Sequence, residues 1–276
     1  MGVMGGSLLL ALKNNNEIKS EVHCHIRNDR SKQWCLDNGA DSTLYNISEL
    51  PSDLDFIFFA APVDCLENIA KELANTENKA IISDLASTKS DVIPAIAKQL
   101  EGKKYLSCHP MCGSEKSGFD GADKNLYIDK TVIITPHDEN AQKHHQKLSG
   151  FWIKLGSKTL SLNPEVHDAS VAWVSHMPHV LMYSLIQAIS IAENNNPNIF
   201  NVAGTGLKDL SRLAASNPDL WTQIILENKS SVNKAITGLQ EELNKVQKIL
   251  NSNDSQADLF DYLQKARNLV NEKGLN

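Results

Sequence analysis

The sequence predicts two parts of different class: an alternating α/β domain with a parallel sheet over residues 1–158, then an all-helical domain over 159–276. Two observations carry this. In the first half, short continuous apolar runs (Asp55–Ala60, Ala80–Ser83, Thr131–Ile134) alternate with segments long enough for crossover helices. Strands that are apolar without alternation have both faces covered, as in a parallel sheet with helices on each side. After about residue 160 the strand runs stop and apolar residues recur at helical spacing.

The elements follow in chain order. Gly5–Leu12 reads as a short helix and Glu21–Ile26 as a strand. The Asp55–Ala60 strand ends at Ala61-Pro62, and Val63–Leu73 is the helix after it. Ala80–Ser83 is followed by Asp84 and a helix over Ser87–Leu100. Tyr105-Leu106 reads as a strand end. Thr131–Ile134 closes at Thr135-Pro136, and Glu139–Leu148 is the last helix of the first half. Asn163-Pro164 pairs an N-cap residue with proline at the first helical position. The helix that follows, to about Ala192, is apolar nearly all round, so it should be buried, with a kink at Pro178. Pro218 starts another helix. Val232, Ile236, Leu239, Leu243, Val246 and Leu250 alternate spacings of four and three, a coiled-coil-like seam. Leu259, Leu263, Ala266 and Val270 place a last helix against it. Such a seam can pack within one chain, but it also suits an intertwined homodimer, which is the favoured reading.

Composition excludes several classes. The net charge of −6 gives no basic footprint for nucleic acid. No apolar run is long enough to span a bilayer, and no secretion signal opens the chain. Five irregularly spaced cysteines point to reduced thiols and a cytoplasmic protein. Cys108 and Cys112 flank His109, but no second cluster completes a zinc-like set, so no metal is expected.

Four segments carry chemistry. The chain opens Met1-Gly2-Val3-Met4-Gly5-Gly6 before an apolar helix. Gly2 and Gly5 match the second and third glycines of the dinucleotide fingerprint G-x-G-x-x-G, whose turn brings a pyrophosphate to a helix N-terminus. The first glycine and the strand before it are missing, so a start about ten residues upstream is expected from ordinary strand and turn lengths. That strand would lie mid-sheet, and without it two strand edges and much apolar area are exposed. At the end of the second strand stands Ile26, where NAD enzymes usually carry an acid, followed by Arg27-Asn28-Asp29-Arg30. Arginines without that acid favour NADP, since guanidinium binds phosphate bidentately. NAD remains open if Asp29 binds the ribose in a shifted register.

The other three segments are Asp84–Lys89, His109–Gly118 and the pair Ser175–His179 with Gly204–Trp221. His109–Gly118 packs an imidazole, two hydroxyls, a carboxylate, an ammonium and two glycines behind a strand end. It resembles the HPM-x-G-[ST]-E-x-SG segment of prephenate and arogenate dehydrogenases. The opening glycines resemble that family's GLGLIGGS segment entered part-way. Asp84–Lys89 resembles its D-x-x-S-x-K, Ser175–His179 its [ST]HLPH, and Gly204–Trp221 its G-x-[KR]-D-x-[ST]-R…A-x-S-x-P-x-x-W. The resemblance runs from Gly2 to about Leu250.

It implies a Rossmann-type domain with a helical dimerisation domain, and oxidative decarboxylation of prephenate with NAD(P) in tyrosine biosynthesis. Arogenate is the alternative substrate. His109 would hydrogen-bond and polarise the substrate hydroxyl, with Ser87 sharing it beside the nicotinamide. A histidine satisfying a buried loop and a serine capping the next helix are the plain alternatives. Ser114 and Glu115 would line the entrance and His179 would face the substrate side chain, with His176 more structural. Arg212 would grip a carboxylate, unless it merely pairs with Asp209. Ser216 and Trp221 would close the site, from this chain or from the partner subunit. Gly2, Val3, Met4, Gly5, Arg27, Asn28, Ala61 and Pro62 would surround the cofactor. No appended regulatory or mutase domain is expected. The rivals are another NAD(P)-dependent hydroxy-acid oxidoreductase and a non-enzymatic protein built on the helical dimer.

Overall fold

The computed structural model describes residues 2–113 and 118–275. Helix α1 (Val3–Lys13) opens the chain and buries Leu8, Leu9 and Ala11. Then come β1 (His23–His25), α2 (Asp29–Asp37), β2 (Ser42–Leu44), β3 (Phe56–Phe59), α3 (Val63–Ala74), β4 (Ile81–Asp84), α4 (Val92–Gln99), β5 (Lys104–Tyr105) and β6 (Ser107–Pro110). The α/β part closes with β7 (Thr131–Thr135), α5 (Glu139–Lys154) and β8 (Lys158–Ser161).

The strands form three ribbons: β1-β2, β3-β4-β5 and β6-β7-β8. All pairs are parallel except β6-β7, which is antiparallel. The parallel sheet read from the sequence is thus present, with β6-β7 as its one antiparallel pair among the described residues. A parallel pair needs a crossover of a dozen or more residues, usually helical. Between β6 and β7 the described residues hold only a 3-10 turn, Phe119–Gly121, and no crossover helix, and the chain returns antiparallel. Leu106 links the second and third ribbons, its amide donating to Ile82 at 3.0 Å.

Among the described residues no pairing forms between β1 and β3. Their facing residues, among them Val22, Cys24, Phe56 and Phe58, line one cleft of about 2090 Å³ with Leu8, Leu9 and Leu12 of α1. The two strand edges expected to be left unpaired are thus both present. Behind the third ribbon, Trp152, Tyr127, Leu148 and Ile134 are fully buried in the core. The α3–α4 layer packs Leu66, Leu73 and Ile96 on the second ribbon.

The helical part begins at α6 (Pro164–Val171), where Asn163 caps the helix by accepting from the Val166 amide at 2.8 Å. A π-helical turn, Ala172–His176, leads into α7 (Met177–Glu193). The break in the long helix falls on the turn just before Pro178, where the proline has no amide to donate to the Val174 carbonyl and its ring crowds it, in line with the expected kink. The helix is also less buried than its composition predicts. Met177 and Met182 are buried, but Val174 (71 %) and Ile191 (69 %) stand exposed. Next follow α8 (Thr205–Ser211), α9 (Pro218–Glu227), α10 (Lys229–Leu250) and α11 (Ser255–Lys273).

The chain divides into two compact units, Met1–Lys229 and Ser230–Asn276. In the second, Tyr262 donates to Glu242 at 3.3 Å. The expected packing of α11 on the α10 seam is partial: Leu239, Val246 and Leu259 are half-buried, whereas Leu243, Leu250, Leu263 and Val270 are exposed. A heptad stripe specifies an apolar seam without specifying which helix fills it. No helix among the described residues is long and apolar enough to cross a membrane.

Candidate active site

The site is built around two backbone segments that meet at the carboxyl ends of β4 and β6. The Asp84–Lys89 segment leaves β4, and its Lys89 side chain turns back, fully buried, to donate to Asp84 Oδ1 at 2.7 Å and to the Cys108 carbonyl at 2.8 Å. Asp84 also accepts from the Tyr105 hydroxyl at 2.7 Å. A buried ion pair survives only when its remaining sites are hydrogen-bonded, as here. Burial pushes the Asp84 carboxyl up, but Lys89, Ser107 and Tyr105 outweigh it and hold the group below the usual carboxylate range. The pair thus ties the Ser87 loop to the strand that carries His109.

His109 lies in β6 and is 7 % exposed, at the wall of the cleft. Its Nδ1 is 2.9 Å from His167 Nε2. His167 Nδ1 is in turn 2.7 Å from Asp168 Oδ1. Desolvation first, then repulsion from His167, Lys89 and His176 in their protonated forms, keep His109 well below the ordinary histidine range, so it is neutral near pH 7. Asp168 closes the chain of bonds. It accepts the Lys89 amide at 2.9 Å and the Ser90 amide at 2.8 Å, while its carbonyl accepts from Asn228 at 2.8 Å. His167 and Asp168 were missed in the sequence. An adjacent His-Asp in a helix's first turns looks like an ordinary polar face, and only tertiary folding sets it behind His109.

Ser87 lines the same cleft. It does not cap the following helix: α4 starts only at Val92, with Asp91 before it, because Lys89 and Ser90 spend their amides on Asp168. This corrects the expected helix start at Ser87. The next residue, Thr88, donates to Glu227 at 2.5 Å.

The helical segment supplies the opposite wall. His176 is 1 % exposed, its Nδ1 lies 3.2 Å from Asn228 Nδ2, and burial lowers it to about 4. His179 is half-buried, donates from Nδ1 to the Ser175 carbonyl at 3.0 Å, and stacks on Trp221 with ring centroids 3.4 Å apart. Desolvation lowers its pKa as well. Arg212, Ser216 and Trp221 line this cleft in the same chain as His109. Among the described residues no ion pair joins Arg212 to Asp209, and Arg212 is exposed. The Ser216 carbonyl accepts from Tyr183 at 2.9 Å. Ser114 and Glu115 lie outside the described residues.

The cofactor candidates divide. Gly2, Val3, Met4, Gly5, Arg27, Ala61 and Pro62 all line the cleft. The first turn of α1 has no side-chain cap and no acidic residue, and a Cβ at Gly2 would meet nothing within 4 Å. Uncapped amides beside open space suit a pyrophosphate, so the residues present fit a dinucleotide. Asn28 does not reach the cleft; it caps α2, accepting the Ser31 amide at 2.9 Å. Two further positions are also engaged. Arg30 pairs with Asp120 at 3.0 Å over the Phe119 ring, and Asp29 accepts from the Tyr45 hydroxyl. Gly6, not singled out beforehand, is the tight glycine: a Cβ there would sit 3.0 Å from Ala122 Cβ and 3.1 Å from the Trp34 ring.

Comparison with known proteins places this geometry. The family described as prephenate dehydrogenase, nucleotide-binding domain, matches residues 11–161, and prephenate dehydrogenase, dimerization domain, matches residues 163–265. A Bacillus subtilis prephenate dehydrogenase is 28 % identical over 274 residues, covering 97 % of this chain and 72 % of the relative. A Zymomonas mobilis cyclohexadienyl dehydrogenase is 29 % identical, covering 83 % of this chain and 80 % of its own. Among solved structures, A. aeolicus prephenate dehydrogenase in complex with hydroxyphenyl propionate and NAD+ superimposes with a TM-score of 0.89 at 29 % identity. That superposition covers 100 % of this chain and 96 % of the other.

Proposed function

The chain belongs to the prephenate dehydrogenase family of NAD(P)-dependent dehydrogenases, and on that premise we propose that its cleft oxidises prephenate to 4-hydroxyphenylpyruvate in tyrosine biosynthesis. The observation that carries the reading is the convergence of Ser87, His109, His179, Arg212 and the uncapped α1 N-terminus on one cleft.

The substrate carries two carboxylates and a ring hydroxyl. When bound, the nicotinamide supplies the hydride acceptor. The ring carbon bearing the hydroxyl loses hydride, and the ring carboxylate leaves as carbon dioxide, its bonding electrons completing the aromatic ring. The hydroxyl proton stays with the phenol product. Neutral His109 accepts a hydrogen bond from that hydroxyl, takes up part of its proton as carbonyl character develops, and returns it. Ser87 orients the same oxygen. Arg212 holds a carboxylate through its planar fork of donors, and the stacked His179–Trp221 pair presents an aromatic wall to the substrate.

Arg27 lines the cleft and is the basic residue placed to meet a 2′-phosphate. That supports NADP, with NAD also accepted. A homodimer is proposed from the match to a dimerization domain and from the apolar side chains that α7 leaves exposed, among them Leu181, Leu185 and Ile191. Nicotinamide reduction measured with prephenate and arogenate, each against NAD and NADP, tests all of this. Turnover of prephenate supports the reading. Turnover of arogenate alone replaces the substrate, and turnover of neither by a cofactor-binding protein overturns it.

A further inference from the structure

We infer that His167 and Asp168 form a positioning unit that fixes the tautomer of His109, leaving its Nε2 as the acceptor for the substrate hydroxyl. This deepens the reading proposed above and rests on it for its kinetic consequence.

The argument is one of hydrogen-bond direction. An ionised carboxylate only accepts, and Asp168 already accepts two backbone amides, from Lys89 and Ser90. His167 Nδ1, 2.7 Å away, must therefore donate to it. A neutral imidazole with hydrogen on Nδ1 has only a lone pair on Nε2. The bond of 2.9 Å from there to His109 Nδ1 can then run one way, with His109 donating. His109 in its turn keeps a lone pair on Nε2, the atom required to accept from a hydroxyl. The tautomer is thus set two residues away, by a carboxylate that does not touch the substrate. Without the unit, a buried histidine would distribute its hydrogen between both nitrogens, and the Nε2–H form cannot accept.

The same unit carries charge. When His109 Nε2 takes up the hydroxyl proton, its Nδ1 hydrogen can shift to His167 Nε2, and the positive charge then lies against the Asp168 carboxylate. The proton returns by the reverse path, so no net proton is consumed. The other charged or titratable groups around His109 do not offer this. Lys89 is bound to Asp84 and the Cys108 carbonyl, Tyr105 is bound to Asp84, and His176 faces Asn228. Asp168 also grips the Lys89 and Ser90 amides just after Ser87, so a single carboxylate holds both catalytic segments in register.

The test has two arms. In the full chain labelled with 15N-histidine, two-bond proton–nitrogen correlation reads each tautomer without any turnover. His109 is expected with hydrogen on Nδ1; an Nε2–H signal overturns the inference. The second arm compares His167→Leu with His167→Gln, whose amide oxygen can still accept from His109. His167→Leu should lower kcat for prephenate roughly 100-fold, leave KM within about twofold, and mix the His109 tautomers. His167→Gln should recover about tenfold of the loss and restore the single tautomer. A KM rise without a kcat loss, or no rescue, points to packing alone and overturns the inference. Should the wild type turn over no cyclohexadienyl substrate, the functional reading fails, and the tautomer arm still decides this one.

Discussion

His109 must stay neutral and yet tolerate a proton, and its burial beside His167 and Lys89 secures the first. His109→Asn is expected to lower kcat by roughly 100-fold or more, with little change in KM, read by steady-state kinetics. Arg212→Ala should do the reverse: loss of a charge-assisted bond raises KM for prephenate by roughly 10–100-fold while kcat changes less. The buried histidines also set the pH response. His109, His167 and His176 all have lowered pKa values, His176 to about 4. Above about pH 6.5 they are neutral both folded and unfolded and contribute no pH dependence. Below that the unfolded chain takes up protons that the fold refuses, so stability falls from about pH 6.5 toward pH 4. A melting temperature that holds constant from pH 7 to pH 4 would contradict this assignment. By the same shift, the acid limb of kcat should lie below about pH 6.5.

At the scale of elements, α1 illustrates how close packing and function share a helix. Its first turn offers amides to the cleft, while Gly6, one turn further, lets it press on Trp34 and Ala122. Gly6→Val should cost about 1–3 kcal/mol through overpacking, visible in chemical denaturation. The π turn at Ala172–His176 works likewise. It ends on His176 and leads into the turn bearing His179, and both line the cleft. The loop Ser87–Ser90 is kept out of helix α4 by Asp168, so its serine stays at the site instead of in a cap.

At the scale of the molecule, much apolar surface is left uncovered by the chain itself. Val174 and Ile191 near α7, and Leu243 and Leu263 in the second unit, are all exposed. Exposed apolar side chains in a region that matches a dimerization domain suit association with a second copy. Sedimentation is expected to give twice the chain mass of 30.5 kDa. Ile191→Asp should shift the protein toward monomer, because a charge buried unpaired in an interface costs on the order of several kcal/mol.

The sequence by itself determined the class of each half, most element positions and the family-like motifs. Apolar runs, helix periods and short motifs are local properties. It placed Ser87, His109, His179, Arg212 and Trp221 as candidates, and the fold brings all five to one cleft. Tertiary structure alone decided what depends on distant partners. It set β6 against β7 antiparallel, since only the folded path of a long connection fixes strand direction. It turned Asn28 into a helix cap and engaged Arg30 with Asp120, 90 residues away. It brought His167 within 2.9 Å of His109, a pairing across 58 residues that no local pattern encodes. Local pattern records what each segment prefers, and only packing records which segments meet.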